Sequence, residues 1–84
     1  MRGMGIEYLI EYHPADLAEL EHFLAQLNNP ISYGRPAFEA SARPDGIYFC
    51  DYGVNAPEVP IALRRILDKA LRGSDSDSVT VRSL

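Results

Sequence analysis

The residues able to carry chemistry are few and lie far apart along the chain. His13 and His22 have no cysteine or further histidine at ligand spacing, and Cys50 is the one cysteine of the chain. Two-cysteine metal carriage and an intrachain disulfide are therefore both excluded. The run Ser74-Asp75-Ser76-Asp77-Ser78 gathers oxygen donors but lacks the central glycine and the downstream bidentate glutamate of a calcium loop. No glycine-rich loop precedes a helix in phosphate-binding form, and no Ser, His and Asp set assembles from a single motif. The sequence thus calls for no catalytic residue, metal or cofactor. Tyr33, Arg35 and Asn55 form the one polar group that suggests a small ligand. They belong to the irregular segments 28–35 and 53–57, which should converge at the start of the second helix, where unpaired helix N–H groups favour an anion or carboxylate.

The elements that must position these residues emerge from periodicity. From Gly5 to Tyr12, Ile6, Tyr8, Ile10 and Tyr12 alternate with Glu7, Leu9 and Glu11, the period of a half-buried strand. Pro14 fits the first turn of a helix, and Asp16, Glu19 and Glu21 complement the positive end of its dipole. Leu17, Leu20, Phe23, Leu24 and Leu27 recur every three or four residues and make one apolar face, and Asn28-Asn29-Pro30 ends the helix. Gly34 and Pro36 interrupt the next stretch, until Phe38, Ala40 and Ala42 alternate with Glu39, Ser41 and Arg43.

Arg43-Pro44-Asp45-Gly46 is the strongest local signal. Proline presets the first turn residue, and glycine accepts the left-handed conformation that closes a type I turn with a bulge. The returning strand, Ile47 to Gly53, carries apolar residues on both sides, as a strand inside a sheet must. Pro57 and Pro60 fit only a helix start; Leu63, Ile66, Leu67, Ala70 and Leu71 form its stripe, and Gly73 ends it. Val79, Val81 and Leu84 suggest a short edge strand. Right-handed crossovers close this order into a ferredoxin-like βαββαβ sandwich of class α+β, a four-stranded antiparallel sheet with both helices on one face. All 84 residues make a single domain, since a core of this size does not divide, with residues 1–4 and the 74–78 loop expected to be mobile.

Within that order, Asp45 to Tyr52 resembles the third-strand signature of RNA-recognition domains at Gly46, Phe49 and Tyr52. The resemblance implies base stacking on the sheet. The chain departs from it where Asp45 stands in place of a basic residue and Ile47 in place of an aromatic, and where Glu7 and Glu11 would meet RNA phosphates. A net charge of −4 and a pI near 4.9 likewise disfavour nucleic acid and favour a basic protein partner.

With the bulged turn, Arg43 shares a side with Ile47. Ala40, Ala42, Tyr48, Cys50 and Tyr52 then face the helices, while Leu9, Ile47 and Phe49 face outward within a rim of Glu7, Glu11, Glu39, Asp51 and Arg43. An apolar centre with a charged rim is the build of a protein contact surface, and a homodimer through Leu9, Ile47, Phe49, Glu7, Glu11 and Arg43 is expected. A register shifted by one residue buries Ile47 and Phe49 and exposes Tyr48 and Tyr52 instead. The first 27 residues hold five acids and one base, whereas Arg64, Arg65, Lys69 and Arg72 gather on the second helix. The chain lacks a signal-peptide stretch and any run of membrane-spanning length, which suggests the cytoplasm and no membrane contact. The functional expectation is a non-enzymatic interaction protein, such as a small acidic bacterial inhibitor or regulatory subunit. The alternative is a homodimeric sensor of anionic metabolites using Tyr33, Arg35 and Asn55.

Overall fold

Leu20 and Leu24 of the first helix and Val59, Ala62, Ile66 and Ala70 of the second meet Ile10, Phe38, Ile47 and Phe49 of the sheet in one buried cluster. The computed structural model describes residues 5–32 and 34–84. Its elements run β1 (Ile6–Glu11), α1 (Leu17–Ala25), β2 (Ile31–Ser32), β3 (Arg35–Pro36), β4 (Phe38–Arg43), β5 (Gly46–Asp51), α2 (Glu58–Gly73) and β6 (Thr80–Ser83). Four strands form one antiparallel sheet in the order β4-β5-β1-β6, and β2 pairs with β3 in a separate short hairpin. The architecture is therefore mixed α+β, with an open antiparallel sheet and two helices. No helix among the described residues is long and apolar enough to cross a membrane.

The helices form as amphipathic stripes, with local differences from the sequence reading. Pro14 precedes α1 rather than opening it. Asp16 is the N-cap, its carboxylate accepting from the Glu19 N–H at 3.1 Å, which satisfies one of the free donors of the first turn. In α2 the buried positions are Val59, Ala62, Ile66 and Ala70. Leu63 and Leu67 are half-buried against them, and Leu71 is exposed, so the stripe lies slightly to one side of the expected one. The interrupted stretch before β4 is organised by Asn29. Its side chain accepts from the Ala37 N–H at 3.0 Å and donates to the Phe38 carbonyl at 2.8 Å. The 74–78 loop is held by hydroxyls, with Ser74 donating to the Ser78 carbonyl at 2.7 Å. Residues 1–4 lie outside the described residues.

The register of the β4–β5 hairpin decides which surface the protein shows. Arg43 pairs with Gly46, and Ala42 with Ile47, so only Pro44 and Asp45 form the loop and there is no bulge. This corrects the expected side-chain directions by one residue. Ile47 and Phe49 are wholly buried under the helices and cannot form an outer contact surface. Phe49 stacks on Phe38 with ring centroids 5.3 Å apart and meets Tyr8 at 6.3 Å. The physical reason is the place of Gly46 in the sheet. A Cβ there would come within 2.0 Å of the Ile10 carbonyl oxygen, so the glycine admits β1 at close range, and its role is not to close a bulged turn.

Candidate protein-binding face

The sheet face away from the core is built in rows across the strands. One row is Glu7, Cys50 and Glu39; the next is Leu9, Tyr48 and Ser41, with Arg82 of β6 beside Leu9; the third is Glu11, Gly46 and Arg43, with Thr80 beside Glu11. Leu9, Glu7, Glu11 and Arg43 thus lie on the outer face as the sequence suggests, whereas Tyr48 and Cys50 take the places expected for Ile47 and Phe49.

The face is not a bare apolar patch. Leu9 and Cys50 are each only 4% exposed, because longer side chains are laid across them. Tyr48 reaches diagonally to donate its hydroxyl to Glu7 Oε2 at 2.8 Å, and Tyr52 donates to Glu39 Oε1 at 2.6 Å. The Arg43 guanidinium sits over the Tyr48 ring at 4.8 Å and that of Arg35 over the Tyr52 ring at 5.9 Å, both within cation–π range. Arg82 pairs with Glu11 at 3.1 Å. Glu7 and Glu39 are held by phenols and make no ion pair among the described residues. The outcome is a surface of half-buried tyrosines with exposed glutamates and arginines around a small aliphatic floor.

This arrangement shifts the phenols and the thiol. Burial, then the hydrogen bond to Glu7, holds Tyr48 well above the ordinary tyrosine range, and the bond to Glu39, then burial, pushes Tyr52 up to about 12. Burial raises the Cys50 thiol, and with the carboxylates of Glu7, Glu39 and Asp51 it outweighs the lowering by the hydrogen bond with Tyr48, which suppresses the thiolate that nucleophilic or metal-binding cysteine chemistry needs. For both phenols the folded value lies above the unfolded one. Their contribution to stability is therefore complete below the ordinary tyrosine value of about 10 and is lost as pH climbs through the folded value. In an ultraviolet titration of phenolate, Glu39→Gln should bring one tyrosine down from about 12, and that component should vanish in Tyr52→Phe. An unchanged titration in Glu39→Gln would show that the carboxylate does not hold Tyr52.

Other candidate positions fare differently. Arg35 points to Tyr52, and no hydrogen bond or ion pair among the described residues joins it to the exposed Asn55. The start of α2, where the sequence suggests an anion, carries the carboxylate of Glu58 in its first turn. Tyr33 lies outside the described residues. His13 and His22 are both exposed, and no group of three or more His, Cys, Asp or Glu side chains among the described residues converges to hold a metal ion. The resemblance to RNA-recognition strands loses its stacking ring, since Phe49 is buried in the core. The acidic first helix and basic second helix meet where Lys69 pairs with Glu19 at 2.5 Å, so part of the charge division is neutralised within the fold. A bulged turn would put Tyr48 and Tyr52 on the core side, and no local sequence signal marks Arg82 as a member of this face. The counterpart of Ile10 and Tyr8 across the sheet is the signal that identifies the two tyrosines. Strand β1 needs Ile47 and Phe49 opposite its own apolar residues.

Comparison with known protein families, with curated proteins and with solved structures finds no match to this chain.

Proposed function

We propose that the chain is a non-enzymatic protein-interaction module on a ferredoxin-like βαββαβ sandwich, and that its outer sheet face receives a basic protein partner. The order of elements and the β4-β5-β1-β6 sheet support the fold reading, with β2 and β3 as an insertion before β4. The observation that carries the function is the pair of tyrosine-braced carboxylates. Glu7 and Glu39 flank Cys50 in one row, each oriented by a phenol and neither ion-paired among the described residues. A lysine or arginine from a partner meets there a preorganised carboxylate and an aromatic ring, and tyrosine and arginine are the residue types that concentrate binding energy at protein interfaces. The net charge of −4 supports long-range attraction of a basic partner. The metabolite-sensor alternative has less support, because Arg35 is engaged with Tyr52.

Affinity capture from the native host at low ionic strength tests this reading. The expected result is a basic protein retained at low salt and released as ionic strength rises, since screening shortens the reach of the attraction. Glu7→Lys should abolish its retention while leaving the circular dichroism spectrum intact. Equal capture by wild type and Glu7→Lys would contradict the proposal.

A further inference from the structure

The sheet ends at β4, and part of that edge is unpaired. Arg43 pairs with Gly46 across the two-residue loop, and the Tyr52 N–H donates to the Ala37 carbonyl at 3.2 Å. Ladder hydrogen bonds to β5 therefore fall at Arg43, Ser41 and Glu39, and the N–H and C=O groups of the alternate residues Phe38, Ala40 and Ala42 point outward. Asn29 covers the first of these, its Oδ1 accepting from the Phe38 N–H at 3.3 Å and its Nδ2 donating to the Phe38 carbonyl at 2.8 Å. The backbone groups of Ala40 and Ala42 have no hydrogen-bond partner among the described residues. Such an edge is a template for another strand.

We propose that this edge pairs with the same edge of a second copy of the chain, antiparallel about a two-fold axis at Ser41, joining two four-stranded sheets into one. The charges select this occupant and this register. With the axis at Ser41, Ala40 lies opposite Ala42 of the second copy, so all the free N–H and C=O groups on both edges find partners. The same operation sets Glu39 opposite Arg43 of the second copy, twice, on the outer face. Opposite charges directly across strands stabilise pairing and like charges oppose it. An axis at Ala40 would instead pair Ala42 with Phe38, whose groups Asn29 already occupies. An axis at Ala42 would pair Ala40 with Pro44, which has no N–H to give. A groove of about 460 Å³ runs beside this edge, lined by Leu24, Ala25, Leu27, Phe38, Ala40 and Ala42 among others, so an extended peptide is the competing occupant. In the pair Glu39 meets Arg43 of the second copy, so Glu7 is the carboxylate left to a basic partner; the edge pairing itself does not rest on what the outer face binds.

Cross-linking decides between them. In the proposed register Ser41 faces its own copy at a non-hydrogen-bonded position, with Cα atoms about 4.5 Å apart, within the span of a disulfide. Ser41 is exposed and the native Cys50 is buried. Two short strands bury much less than a tight complex does, so association is expected on the order of 100 μM. Under mild oxidation at that concentration, Ser41→Cys should become a disulfide-linked dimer far faster than Thr80→Cys, which places a thiol at the opposite edge of the same face. In sedimentation of the reduced proteins, Glu39→Arg should weaken self-association about tenfold, and Glu39→Arg combined with Arg43→Glu should restore it. Equal cross-linking of the two cysteine variants, or no restoration by the double exchange, would overturn the proposal. Either result, together with binding of an extended peptide indifferent to the exchange, would assign the edge to a peptide.

Discussion

Phe49→Glu should leave the chain unfolded in water, and Phe49→Ala should cost about 3–5 kcal/mol, the usual loss for emptying a buried aromatic site. Phe49 has no exposed surface and packs between Phe38 and Tyr8. A domain of this length has a total stability on the order of 5–10 kcal/mol, so the alanine variant loses a large part of it. The glutamate variant must in addition bury a carboxyl without a partner, since no polar or charged side chain among the described residues is buried. Urea titration followed by circular dichroism measures both. A folded Phe49→Glu would place Phe49 on the outer face and return the hairpin to the bulged register.

The second large effect is expected at Gly46. A Cβ added there meets the Ile10 carbonyl oxygen at 2.0 Å and its carbon at 2.9 Å, on a backbone with φ of +141°. Strain of that kind alone costs about 1–3 kcal/mol. The clash is with the backbone of β1, the other central strand of the sheet, so relief requires β1 to move away from β5 at this end, and Gly46→Ala should lose more than that range. Gly53→Ala is the contrast. Its φ is also positive, at +79°, but nothing lies within 4 Å of the added carbon, so only the left-handed backbone penalty of about 1–2 kcal/mol applies. Equal midpoints in urea for the two variants would mean that the close approach of β1 at Gly46 is not what constrains that position.

Gly46 also explains what the sequence could and could not reveal. Alternation along Ile6–Glu11 and Phe38–Arg43 and the helical spacing of Leu20, Leu24 and Ile66, Ala70 are local properties, and local periodicity identifies the sheet strands and both helices. The direction of a hairpin's side chains depends instead on whether its glycine belongs to the loop or to the strand. Arg-Pro-Asp-Gly is compatible with both, and the choice is made by β1, which lies far away in sequence and needs Ile47 and Phe49 against Ile10 and Tyr8. A single residue of register exchanges the tyrosines for the core residues on the outer face. Glu7, Glu11, Arg43 and Leu9 keep their side because they do not depend on the loop, or lie at its end, where Arg43 opposes Gly46. The Asn29 clasp is illegible in the sequence for a related reason: it satisfies a backbone edge that exists only once β4 has taken its place in the sheet.

Covalent footprinting of the chain, free and bound to its captured basic partner, bears most directly on the outer face as the functional surface. Carbodiimide labelling reports Glu7 and iodination reports Tyr48 and Tyr52, whereas Glu39 is uninformative because pairing of β4 edges would cover it too. Glu21 on α1 and Glu58 on α2, beyond the outer face, serve as references. The expected result is strong protection of Glu7, Tyr48 and Tyr52 in the complex, with Glu21 and Glu58 labelled as in the free chain. Unchanged labelling of Glu7 and both tyrosines, with protection at Glu21 or Glu58, would contradict it and move the binding surface to the helices.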